Sequence, residues 1–295
     1  MKTFIRYLSV SMTICCLAWP LALYALPPVK VLVSIMPQKY FVERIGAKRV
    51  RADVLVMPGK SPATYSPTPD QMRKLANADI YFRAGVPFEN AVISRIRAVK
   101  GLKIVDTRTG IALRRMKPSG HIHSGISETA DPTGCDPHVW MNPRFVRIQA
   151  KIMAEHLSLI DPDGRSYYQS NYERFAQDLE DLDMHLKAVL GRFKGKTLFV
   201  FHPAFGYFAD AYGMKQVAVE AMGRAPKGRA LSRIIKLARK QKVRVIFVQP
   251  QFDTNAALKI ASAIHGAVVP IDPLAYQYLD NMKSMADIIA KALEH

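Results

Sequence analysis

Residues 163–192 read DGRSYYQSNYERFAQDLEDLDMHLKAVLGR. Tyr168, Tyr172, Phe175, Leu179, Leu182, Leu186 and Val189 follow one another at spacings of 4, 3, 4, 3, 4 and 3, which makes one apolar stripe on an α-helix. At 1.5 Å per residue, a helix from Asp163 to Arg192 is roughly 45 Å long, more than one small domain needs. An ordinary core helix would carry the same stripe. Length and central position point instead to a strut shared by two domains.

The flanks support that reading. Before the helix, strand-like runs occur at Val29–Ile35, Asp53–Met57, Ile80–Phe82 and Lys103–Asp106, with helical patterns at Met36–Ile45, Asp70–Ala76 and Glu89–Val99. After it, strands are expected at Thr197–His202, Val217–Glu220, Val243–Gln249 and Val268–Ile271. Helices are expected at Ala204–Tyr212, Ala230–Gln241, Thr254–Ile264 and Tyr278–Leu293. Alternation of this kind predicts parallel βα units. The predicted fold class is therefore α/β, with an N-terminal lobe over residues 26–161, the linking helix over 162–193 and a C-terminal lobe over 194–295. Met116 to Gly134, rich in Pro, Gly, Ser and Thr without apolar periodicity, reads as a surface loop.

Residues 1–25 are set aside as a secretory signal peptide. Lys2 and Arg6 precede the apolar run Leu8–Leu23, and Ala25 offers a small residue for cleavage. An uncleaved anchor is the competing reading; Pro20, Ser9, Ser11 and Thr13 speak against it. The chain has 295 residues, 49% of them hydrophobic, which excludes a disordered polyampholyte. Of three cysteines, Cys15 and Cys16 leave with the signal, so Cys135 has no disulfide partner within the exported protein. Loss of Lys2 and Arg6 takes the formal charge from +18 to +16, so the basic excess belongs to the exported part.

Four histidines draw attention by location. His138 lies in Asp136-Pro137-His138-Val139-Trp140-Met141-Asn142-Pro143, between two prolines that restrict the backbone. His202 ends an apolar strand, where a parallel sheet opens its ligand crevice. Asp272 holds the matching place after Val268-Val269-Pro270-Ile271. Two imidazoles and a carboxylate suit a borderline divalent metal. His121 and His123 fall in the loop. His156, His185, His265 and His295 read as structural or surface residues.

Taken together, the ordered motifs Ser34-Ile35-Met36-Pro37, Met57-Pro58-Gly59, Ala63-Thr64-Tyr65-Ser66-Pro67-Thr68-Pro69, Ala78-Asp79, Asp136-Pro137-His138-Val139-Trp140, Phe201-His202 through Phe208 and Ile271-Asp272-Pro273-Leu274 span the exported chain. In these the chain resembles the zinc/manganese substrate-binding proteins of bacterial ABC importers, the metal-binding cluster A-I family. The resemblance implies two α/β lobes with parallel sheets, one linking helix and a metal in the interlobe cleft. It implies His138, His202 and Asp272 as ligands. Where the family has Pro-His-Thr-Tyr, this chain has Pro62-Ala63-Thr64-Tyr65, and alanine has no donor atom. Four explanations stand open: water or an anion completes the sphere; His121 or His123 swings in; Cys135 ligates as a thiolate; or the site has decayed or changed ligand.

The resemblance implies a periplasmic protein, monomeric, that captures Zn(2+), with Mn(2+) or Fe(2+) as alternatives, and delivers it to an inner-membrane permease with its ATPase subunits. Affinity should fall as histidines protonate. Three rival readings compete. A metal-dependent hydrolase needs a base, and the sequence has no His-Glu-x-x-His helix or Gly-x-Ser-x-Gly elbow; Glu220 is the nearest carboxylate and reads as structural. Ala63 supports the same fold holding a non-metal or chelated ligand. Nucleic acid is not expected as a partner, because export removes it from reach. The basic run from Arg224 to Arg244 reads as a solvated face, with attraction to anionic lipid or an acidic permease surface as a secondary hypothesis.

Overall fold

The computed structural model describes residues 27–115, 134–220 and 226–294. The signal-peptide reading, His121 and His123 lie outside the described residues. The N-terminal lobe is a parallel sheet of β1 (Val29–Val33), β2 (Val50–Val54), β3 (Ile80–Arg83) and β4 (Lys103–Asp106) in the order β2-β1-β3-β4, with α1 (Met36–Gly46), α2 (Pro69–Ala76) and α3 (Pro87–Arg97) as crossovers. The C-terminal lobe repeats the pattern. Strands β5 (Thr197–Val200), β6 (Lys215–Ala218), β7 (Val245–Val248) and β8 (Ala267–Pro270) run parallel in the order β6-β5-β7-β8. Helices α6 (Gly206–Ala211), α7 (Gly228–Lys240) and α8 (Asn255–Ala263) connect them, and α9 (Tyr278–Leu293) closes the lobe.

The linking helix α5 spans Arg165–Leu190. It is shorter than the stripe suggests because each end tightens into a 3-10 turn, at Pro162–Gly164 and Gly191–Phe193. Tyr168, Phe175, Leu179, Leu182 and Leu186 are at most 1% exposed. Helix α5 packs against α1 on one side and α9 on the other, so it does touch both lobes. It also lies along α4 (Pro143–Ile160), a helix the expected elements omit although Val146, Ala150, Met153 and Leu157 carry a 4, 3, 4 spacing. At their junction Arg49 grips Asp161 with two bonds of 2.7 Å, and Tyr168 Oη donates to the same carboxylate at 2.6 Å. Gly164 is required there: a Cβ would come within 2.4 Å of Asp161 Oδ2 and 2.6 Å of Arg49 Nε.

Every strand but β4 differs from expectation at one end or both: β1 and β5 stop two residues early, β3 runs one residue longer, β7 starts two residues late and stops one early, and β8 is shifted back by one. Strand β2 begins at Val50, three residues early, because Val50 and Ala52 bury against β1 while Arg51 faces out. Strand β6 begins at Lys215 since its register is set by pairing with β5, not by its own half-buried residues.

Direct ties cross between the lobes beside the strut. Trp140 Nε1 donates to the Pro273 carbonyl at 2.8 Å, and Tyr278 Oη donates to the Trp140 carbonyl at 2.8 Å. The Phe41 and Tyr278 rings meet edge to face at 5.0 Å. Both lobes therefore share one continuous core.

Candidate metal centre

In the C-terminal sheet, β6 lies on one side of β5 and β7 on the other, so the chain changes direction at the carboxyl end of β5, where parallel sheets bind ligands. His202 stands there. The buried Gln249, just past β7, accepts from the His202 N–H at 3.0 Å and donates back to its carbonyl at 3.4 Å. Phe252 stacks on the imidazole at 4.7 Å. Glu220, just past β6 and 1% exposed, puts Oε1 2.5 Å from His202 Nδ1.

His138 comes from the other lobe. It precedes a 3-10 turn, Val139–Met141, that runs into α4 through Asn142, whose side chain accepts from the Arg144 N–H, with Pro143 at the first helical position. Asp136 Oδ1 accepts from the His138 backbone N–H at 3.0 Å and lies 2.7 Å from its Nδ1. Asp136 is itself anchored: Tyr207 Oη donates to its carbonyl at 2.9 Å, and Arg114 Nη1 lies 3.8 Å from Oδ2. Gly206 makes room for that guanidinium, since a Cβ would fall 1.6 Å from Arg114 Nη1.

The two imidazoles meet across the lobes with Nε2 atoms 3.3 Å apart. A carboxylate on each Nδ1 fixes that nitrogen as the protonated one and turns the Nε2 lone pair outward. Burial pushes the His202 pKa down, against the opposing pull of Glu220, and so favours the neutral ring. Two facing lone pairs can take a cation between them. Zinc–nitrogen bonds of about 2.0–2.1 Å at a tetrahedral angle separate two nitrogens by about 3.3–3.4 Å. The observed gap fits that span.

The other predicted residues stand elsewhere. Asp272 lines an interlobe cleft of about 90 Å³ with Met36, Met57, Lys60, Gln251 and Tyr276. Its Oδ1 accepts from Gln251 Nε2 at 2.8 Å and the Leu274 N–H at 2.9 Å. Among the described residues, no group of three His, Cys, Asp or Glu side chains forms a metal cage. Cys135, a free thiol, pairs its backbone with Arg115 in an isolated bridge. Ala63 sits in a loop held by the Phe88 N–H on the Pro62 carbonyl, with Tyr65 Oη bonded to Gln71 at 2.8 Å. The loop is thus anchored where the donor is missing. From the sequence Glu220 reads as structural and Asp136 as part of a motif, whereas each carboxylate meets a histidine Nδ1. A carboxylate two residues before a histidine was the available signal for Asp136; nothing local linked Glu220 to His202.

The chain matches the family described as zinc-uptake complex component A, periplasmic (ZnuA), over residues 31–292. It is 25% identical to the high-affinity zinc uptake system protein ZnuA of Bacillus subtilis (strain 168), covering 89% of this chain and 87% of that one. It is 22% identical to the manganese-binding lipoprotein MntA of Halalkalibacterium halodurans, covering 85% and 84%. A crystal structure of ZnuA superposes with a TM-score of 0.82 at 33% identity, covering 90% of this chain and 99% of that one. With these motifs, this two-lobed fold and this match, the chain belongs to the ZnuA family of metal substrate-binding proteins.

Proposed function

We propose that this protein captures a divalent transition metal, zinc first, in the periplasm and passes it to an ABC permease served by its ATPase subunits. The family places it among zinc and manganese substrate-binding proteins. The observation that carries the reading is the pair of Nε2 atoms 3.3 Å apart, each imidazole backed by a buried carboxylate. His138 comes from the lobe of residues 26–161 and His202 from that of residues 194–295, with residues 162–193 as the link. Asp272, which Gln251 holds at the cleft, is the third protein ligand once its carboxylate turns to the metal. It neighbours Pro273, whose carbonyl is tied to Trp140, and the Trp140 ring lies 5.1 Å from that of His138. Water or a small anion takes the position that Ala63 leaves empty. No covalent bond is made or broken: the protein binds the ion as a monomer, is recognised, and releases it.

Calorimetric titration of chelator-stripped protein with zinc and with manganese tests this. One zinc per chain in the wild type, lost in His202→Ala, is the expected result. A wild type that binds no stoichiometric metal overturns the reading and directs the search to chelated or organic ligands.

A further inference from the structure

Helix α7 differs from the other helices in charge. It carries Arg229, Arg233, Lys236, Arg239 and Lys240 and no carboxylate. Lys227 precedes it and Lys242 and Arg244 follow, and no Asp or Glu occurs between Glu220 and Asp253. All eight of these cations are exposed. Helices α1, α2, α4 and α5 each offset a cation with a carboxylate one turn away, as in Lys39–Glu43, Arg73–Asp70, Lys151–Glu155 and Lys187–Asp183. Among the described residues none of the eight makes an ion pair. Arg239 instead bonds the Ala263 carbonyl through Nε and Nη2, at 3.1 and 2.6 Å, and so fixes α7 to the end of α8.

Like charges this dense repel one another, and the fold leaves them uncompensated at the surface. Beneath them Leu231, Ile234, Ile235 and Leu237 pack on the lobe's outer core but stay only partly buried. On the adjoining α8, Leu258 is 52% exposed. An exposed cationic helix face is the form that an anionic lipid headgroup layer attracts, since lipid phosphates need no fixed spacing and no concave pocket. The exposed Leu258 on the adjoining helix favours a lipid surface over a polyanion dissolved in water. We propose that the exposed basic face of α7, with Lys242 and Arg244, docks the protein reversibly on an anionic phospholipid membrane.

The test is co-sedimentation of the purified protein with phosphatidylcholine vesicles, with and without phosphatidylglycerol, at low and molar salt. Wild type is expected to bind only vesicles containing phosphatidylglycerol, and to be released by salt. The triple variant Arg233→Glu/Lys236→Glu/Lys240→Glu should bind at least about tenfold more weakly. A control with the same net charge, Arg95→Glu/Arg97→Glu/Lys100→Glu at and just past the end of α3, should bind within about twofold of wild type. Matching thermal midpoints for both variants would show that neither has lost its fold. Wild type that ignores phosphatidylglycerol vesicles overturns the proposal, whatever acidic protein it then binds. Equal losses in the two triple variants also overturn it, because net charge alone would then account for binding.

Discussion

Replacing Asp136 with asparagine separates two effects that meet at one carboxylate. Oδ1 orients His138 through Nδ1 at 2.7 Å, while Oδ2 faces Arg114 Nη1 at 3.8 Å. An asparagine oxygen can still accept from His138, but the charge that makes the imidazole a better donor to a metal is gone. Loss of such an orienting partner costs about 10–100-fold in metal affinity, or about 1.4–2.7 kcal/mol. The amide nitrogen or oxygen then faces a guanidinium whose Nη1 is buried without a hydrogen bond. That should lower the stability of the metal-free protein by about 1–2 kcal/mol. The double variant Asp136→Asn/Arg114→Met should recover most of the stability and none of the affinity. Chelator-competition titration reads the first effect and urea unfolding of stripped protein the second. Zinc affinity within twofold of wild type would refute the assignment of Asp136 as the group that orients His138. Recovery of affinity in the double variant would refute the separation.

Trp19 and Trp140 are the two tryptophans, so protein beginning at residue 26 has Trp140 alone, its ring 5.1 Å from that of His138. Its fluorescence should therefore change in step with zinc occupancy; a titration with saturated calorimetry and flat fluorescence would count against His138 as a ligand. Phe175→Ala removes a fully buried ring from the strut and should cost about 3–5 kcal/mol. Because α5 packs on both lobes, urea melts by fluorescence and circular dichroism should stay coincident, and two separated transitions would show that the lobes fold independently. The Arg49 hydrogen bonds hold the Asp161 pKa below its ordinary 3.8. A depressed carboxylate stabilises the fold above its unfolded pKa and loses that contribution as pH falls through the folded value. Asp161→Asn should thus cost about 1–2 kcal/mol at neutral pH and progressively less below pH ~4; an equal deficit at pH 7 and pH 2 would refute the linkage.

The fold was largely legible. Parallel βα alternation, the strut and both histidines follow from local pattern, and β4 and α9 occur at the expected residues. Helix α4 was equally readable from the 4, 3, 4 spacing of Val146, Ala150, Met153 and Leu157. Strand edges were less legible, because β2 and β6 take their limits from the strand they pair with.

The sequence by itself determined which side chains could donate to a metal and that Ala63 cannot. It also determined the 3.6-residue period that commits residues 165–190 to a helix reaching both lobes. Only the tertiary structure decided that His138 and His202, 64 residues apart in the chain, stand with Nε2 atoms 3.3 Å apart. It alone assigned Glu220 to His202 and gave Asp272 to Gln251 at the cleft. The physical reason is range. Periodicity and donor chemistry are properties of neighbouring residues, whereas a ligand pair and its orienting carboxylates are set where separate strand ends converge. That convergence depends on sheet order, helix packing and the bonds between lobes.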